Sequence, residues 1–154
     1  MDFTDFLFVN ENCLKSLKFE NPKTNKMEHL TEIFILLMLA IVFLQSGIDK
    51  VTDWKGNLGW LKGHFEKSPF NGIVPILLLV LTILELSSGI TAIVGGCMLY
   101  FSDDNCWAMI AAVLSAGTFL SLFLGQRLAK DYPGAQGIVV YFIPTVFLLY
   151  LLTN

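Results

Sequence analysis

Charge is what this sequence has least of. Only 15% of its 154 residues are Asp, Glu, Lys or Arg, against about 25% in an ordinary soluble domain. The shortage is also uneven. All ten Lys and Arg stand before residue 68 or at Arg127 and Lys130. Between Ser68 and Gln126 the only charged residues are Glu85, Asp103 and Asp104. A soluble fold would have to cover that stretch with polar surface, whereas a bilayer removes the need. Net charge is −3 and no basic stripe crosses a predicted face, which speaks against a nucleic-acid partner. The three cysteines, Cys13, Cys97 and Cys106, form no CxxC pair and no metal-ligand spacing, so a disulfide-stapled secreted scaffold is not indicated. The soluble-enzyme signatures GxGxxG, P-loop, GxSxG and HExxH are all missing. The start of the chain lacks the look of a signal peptide. Asp2 and Asp5 stand where a basic n-region belongs, and the apolar run Phe6–Val9 is shorter than an h-region of about 7–15 residues.

What the chain does have is apolar length, with 55% hydrophobic residues. A bilayer core of about 30 Å takes about 20 helical residues. The expected fold is all-α, an integral membrane four-helix bundle over residues 30–154, with spans at about 30–50, 73–101, 107–128 and 134–152. The run Ile33 to Leu44 has 12 apolar residues, too few to cross alone. The first helix must therefore continue through Gln45, Ser46 and Gly47 toward Asp49 and Lys50. Residues 52–72 form a connecting segment rich in Trp54, Trp60, Phe65 and Phe70 and broken up by glycines, as suits a membrane–water boundary. Leu61 and Phe65 at i, i+4 suit a short interfacial helix. Pro75 fits a first helical turn. Asp131, Pro133 and Gly134 mark a turn, and Pro144 falls inside the last span, to be kinked or accommodated by neighbours. Residues 1–29 form an N-terminal juxtamembrane segment whose apolar spacing fits an amphipathic helix in the headgroup region or, alternatively, a polar tail.

Four spans place both ends on one side. Lys15, Lys18, Lys23 and Lys26 stand there, against Lys50, Lys55, Lys62, Lys67, Arg127 and Lys130 on the other. Four against six favours cytoplasmic placement of loops 52–72 and 129–133.

Glu85 is the most informative residue. A carboxylate near mid-span needs a partner or a proton. Ser88, Gly89, Ala92 and Gly96 follow it at steps of three and four, which puts it on a face of close helix approach. It reads either as a proton acceptor or ligand contact, or as a structural hydrogen-bonding group. Lys50 and Arg127 are candidates to neutralise it, with snorkelling to the boundary as the alternative for each. Lys50 travels with Gln45 and Asp49, and Glu85, Lys50 and Asp49 are the candidate catalytic cluster. Gln45, Trp54 and Arg127 are the candidate cofactor-binding residues. Ala111, Ser115, Thr118, Ser121 and Gly125 form a helix–helix seam in the third span. Cys97 and Cys106 flank the acidic turn, either as a pair or as two unrelated thiols. His64 reads as a solvated loop residue. His29 with Glu32 is half a metal site at most, and no metal is expected.

Gln45-Ser-Gly-Ile-Asp-Lys50, then Trp54 and Gly56, Glu85 and Gly89, and Gly95-Gly96 together resemble the DoxX family of small four-helix membrane proteins. The resemblance covers about residues 30–152 and leaves the N-terminal segment outside it. It implies a bacterial inner membrane and recurring positions at Gly47, Lys50 and Glu85. It also implies links to membrane redox complexes, including a small subunit of a thiosulfate:quinone oxidoreductase. The expectation is therefore an accessory subunit of a larger redox, transport or assembly complex. The alternative is a quinone-linked oxidoreductase subunit, with quinone as its cofactor and an intramembrane Glu/Lys cluster.

Overall fold

In the computed structural model, residues 29–66, 68, 72–102 and 104–153 are described. The amphipathic helix expected within the N-terminal segment lies outside them. The described residues form α1 (Leu30–Thr52), α2 (Trp54–His64), α3 (Val74–Ser102), α4 (Asn105–Leu128) and α5 (Tyr132–Thr153), and no strand occurs among them. Four of the five helices, all but α2, are long and apolar enough to cross a membrane. The architecture is an all-α four-helix bundle, and it fits an integral membrane protein.

The main interfaces are α1 with α3, α3 with α4 and α4 with α5, and α5 returns to α1 along a narrower contact. The main core cluster has Leu36, Leu39, Ala40 and Phe43 meeting Ala92, Leu99, Ala108, Ala111, Ala112, Phe119 and Leu148. Phe34, Ile41, Ile83, Val140 and Ile143 point outward, each more than half exposed. In water that surface would be unfavourable, and in a bilayer it is the lipid-facing side. Consecutive spans alternate in direction. One end of the bundle therefore carries α2 and residues 129–131, and the other carries His29, Asp104 and Thr153.

Small residues set how close the helices come. A Cβ on Gly47 would stand 2.6 Å from Leu86 Cδ2, and one on Gly89 would stand 2.7 Å from Leu44 Cγ. Each leucine of the α1–α3 seam thus fills the hole left by a glycine on the facing helix. Gly95 is less forgiving, because its Cβ would lie 2.9 Å from the Ala108 Cα and N, which are backbone and cannot turn aside. The small-residue stripe after Glu85 is buried at Ser88, Gly89 and Ala92, and the critical contact toward α4 falls on Gly95 rather than Gly96.

Two boundaries are set by caps. The short helix expected around Leu61 and Phe65 in the 52–72 connection is α2, which starts at Trp54 despite Gly56, Gly59 and Gly63 and has Phe65 as its C-cap. Asp53 starts it by accepting a hydrogen bond from the Gly56 N–H at 3.0 Å, the usual work of an N-cap aspartate. The last span begins at Tyr132, so Pro133 lies in its first turn rather than in the preceding loop. A proline costs little there, and Asp131 accepts from the Gly134 N–H at 3.0 Å. Before it, α4 ends in a 6→1 bond from Asp131 N–H to the Gln126 carbonyl at 2.9 Å. Lys130 sits at the left-handed position of that cap, with φ of 62°. The last span continues as helix through Pro144.

Cys97 is a free, exposed thiol, whereas Cys106 is disulfide-bonded. The two cysteines flanking the acidic turn therefore do not pair with one another.

Candidate functional site

Lys50 occupies the last turn of α1, and Glu85 lies eleven residues after Val74 in α3. They meet because side chains on a helix lean toward its N-terminus. The two helices run in opposite directions, so Lys50 leans inward from the membrane boundary while Glu85 leans outward toward it. The Lys50 ammonium donates to both Glu85 carboxylate oxygens, at 3.0 and 2.8 Å. It also donates to Ser46 Oγ at 2.7 Å, and more weakly to the Ser46 carbonyl at 3.4 Å. Glu85 is only 1% exposed, and the Lys50 side chain 14%. Three ammonium protons thus meet four oxygen atoms on two helices, and the buried carboxylate is compensated. The interdigitated Gly47/Leu86 and Gly89/Leu44 contacts enclose the pair on the α1–α3 seam.

The predicted cluster is therefore assembled in part. Lys50 neutralises Glu85. Arg127 instead lies exposed at the end of α4, its guanidinium carbon 4.8 Å over the Tyr132 ring. Asp49 is exposed and outside the cluster, its backbone carbonyl accepting from the Asp53 N–H and from Asn57 Nδ2. Gln45 is exposed on the outer face of α1, and Trp54 is half-buried in the first turn of α2. No cofactor-binding candidate from the sequence reading contributes to the ion pair. Ser46 does contribute, and its i, i+4 relation to Lys50 was the available signal.

Beyond Glu85, hydroxyls continue the α3–α4 seam. Thr118 Oγ1 donates to the Leu114 carbonyl at 2.9 Å, which leaves it to accept from Ser88 Oγ at 3.0 Å. The buried Ser115 Oγ has no hydrogen-bond partner among the described residues. Of the expected seam, Ala111, Ser115 and Thr118 pack against neighbours. Ser121 and Gly125 instead line a cavity of about 280 Å³ between α3, α4 and the end of α2. His64 is not the solvated loop residue expected from sequence. Its side chain is 18% exposed, and Nε2 lies 3.0 Å from Gln126 Oε1 and 3.7 Å from Asp131 Oδ2. Trp60, one turn before it, stacks on the ring at 4.7 Å. At the opposite end, His29 Nδ1 and Glu32 Oε1 are 3.4 Å apart.

No family model, no curated protein and no solved structure matches this chain.

Proposed function

We propose that this protein is a membrane-embedded accessory subunit of a larger redox, transport or assembly complex, in which the Lys50–Glu85 pair clamps α1 to α3. The observation that carries this reading is that the pair is closed on itself. Its donors and acceptors are matched across two helices, glycine–leucine contacts pack around it, and neither residue lines the cavity beside α3. A buried pair of this kind fixes one arrangement of helices more than it adds net stability. Among the described residues, little lies outside the bilayer between the spans beyond an 11-residue helix, α2, and the short connection at 129–131. Chemistry in the aqueous phase would fall to a partner. The DoxX resemblance, carried by Gly47, Lys50 and Glu85, belongs to the same proposal, as does a bacterial inner membrane.

The orientation proposed puts α2 and residues 129–131 in the cytoplasm. Lys55, Lys62, Arg127 and Lys130 cluster at that end, and the disulfide-bonded Cys106 stands at the other, which suits an oxidising compartment there.

Native gels of membranes carrying Glu85→Gln or Lys50→Ala test the reading. A shift from a large assembly to free protein is expected in Lys50→Ala. Unchanged migration of both variants at full expression would count against it.

A further inference from the structure

The outer face of α1 carries one polar group on an otherwise apolar stripe. Phe34, Leu37, Ile41 and Ile48 stand on that face, each more than half exposed. Their steps of three, four and seven keep them on one side of a helix with 3.6 residues per turn. Gln45 is exposed on the same stripe, four residues after Ile41 and three before Ile48. It stands two residues from Gly47, about 200° around the helix, so it faces away from the α1–α3 seam. No hydrogen bond engages its side chain among the described residues.

The depth of Gln45 makes that amide costly to leave alone. It lies one turn before the exposed Asp49, about 6 Å further into the bilayer. Its side chain leans toward the start of α1, which turns it inward from the nearer boundary. The far boundary is out of reach, since Leu30 is about 22 Å back along the helix. A carboxamide has a carbonyl that accepts and an NH2 that donates twice. In hydrocarbon these groups find partners only across a helix–helix contact.

An amide is complementary to a second amide. A two-fold axis along the membrane normal sets the stripe against itself with both Gln45 side chains at one depth, each donating to the other's carbonyl. The stripe is also neutral. From Phe34 to Ile48 the sequence holds no Asp, Glu, Lys or Arg, so two copies do not repel one another within the bilayer. Asp49 stands at the aqueous edge, where water and salt screen its approach to the partner's Asp49.

We propose that a second copy of this chain docks on the outer face of α1, with the two Gln45 amides paired at the centre of the contact and Ile41 and Ile48 packed on either side. The contact lies across α1 from the Lys50–Glu85 pair, and it does not rest on the accessory role.

The test places a photoreactive benzoylphenylalanine at Ile41, at Ile48 or, as a control, at Ile83 on the lipid face of α3, in the full-length protein in native membranes. Irradiation should join two copies of the chain from Ile41 and Ile48, with the adduct on α1 of the second copy, and should not join them from Ile83. Subunit counting of labelled protein diluted into phosphatidylcholine vesicles then measures the strength of the contact. Gln45→Leu should weaken association by about tenfold, the worth of an interhelical amide contact in model membrane helices. Gln45→Asn keeps the amide and should keep most of the association. A contact made by apolar packing alone would hold or strengthen in Gln45→Leu, and that result overturns the amide pair. Joining to a different protein from both Ile41 and Ile48, or two-copy adducts equally abundant from Ile83, overturns the second copy as the occupant.

Discussion

The Lys50 ammonium bridges both carboxylate oxygens of Glu85, 35 positions further along the chain, while its remaining reach is taken by Ser46 on its own helix. The two partners are not equally placed. Lys50 is near the end of α1 with 14% of its side chain exposed, whereas Glu85 is 1% exposed and deep in α3. Removing one partner should therefore cost different amounts from each side. In Glu85→Gln, Lys50 can swing out to the boundary and recover water, for a loss of about 1–2 kcal/mol. In Lys50→Ala, Glu85 has no such escape, and the loss should approach the about 3–5 kcal/mol of a broken buried pair. The double variant Lys50→Met/Glu85→Leu should recover most of it. Unfolding in mixed micelles, followed by loss of helical signal, measures the order. Equal losses, or a double variant no better than Lys50→Ala, would contradict the clamp.

The glycine contacts predict a second order. Gly95→Ala drives a Cβ into the Ala108 backbone, which moves only if α3 and α4 part. Gly47→Ala meets the far end of the Leu86 side chain, which can turn aside. Gly95→Ala should cost about 2–3 kcal/mol and Gly47→Ala about 1 kcal/mol or less, within the range for overpacking. Thermal midpoints in detergent distinguish them, and a reversed order would refute the assignment of Gly95 as the less forgiving contact.

Much of this fold was open to inspection in the sequence. The spans had to be helices because only apolar runs of that length cross a bilayer, and Glu85 had to face inward because it could not face lipid. The partner choice was legible only in part. Lys50 and Arg127 both stand near span ends, and the decision rests on helix direction: the lean of Lys50 toward Glu85 follows from the α1–α3 packing. Asp49 is next to Lys50 in sequence, yet neighbouring residues on a helix point about 100° apart, and Asp49 faces out. His64 was missed because its partners, Gln126 and Asp131, lie more than sixty positions away and arrive only when α4 packs on α3. Pro133 stands among turn-forming residues, yet its position two residues after Asp131 equally fits a capped first turn.

The hydroxyl seam yields a contrast between two buried serines. Ser88 donates to Thr118, and Ser88→Ala should cost about 0.6 kcal/mol, the usual worth of an interhelical hydrogen bond in a membrane protein. Ser115 Oγ is buried with no partner among the described residues, so Ser115→Ala should be neutral or stabilising by up to about 1 kcal/mol. Parallel unfolding curves of the two variants check it. A larger loss in Ser115→Ala would show that its hydroxyl is engaged.

The left-handed Lys130 predicts a gain from glycine. Lys130→Gly relieves a backbone conformation that costs about 1 kcal/mol for a side chain, partly offset by the greater freedom of glycine in the unfolded chain. A rise in thermal midpoint is expected, with the His64–Gln126 end of the bundle unaltered. A fall would mean that the Lys130 side chain itself contributes.

The accessory role meets its most direct test in purification from native membranes in a mild detergent, with mass spectrometry of what accompanies the protein. The account predicts stoichiometric recovery of a larger membrane protein with the wild-type chain. That partner should be lost with Lys50→Ala and regained with Lys50→Met/Glu85→Leu. Recovery of the wild-type chain alone, with a bound quinone and quinone-dependent turnover that falls in Glu85→Gln, would contradict it and assign the Lys50–Glu85 pair to catalysis.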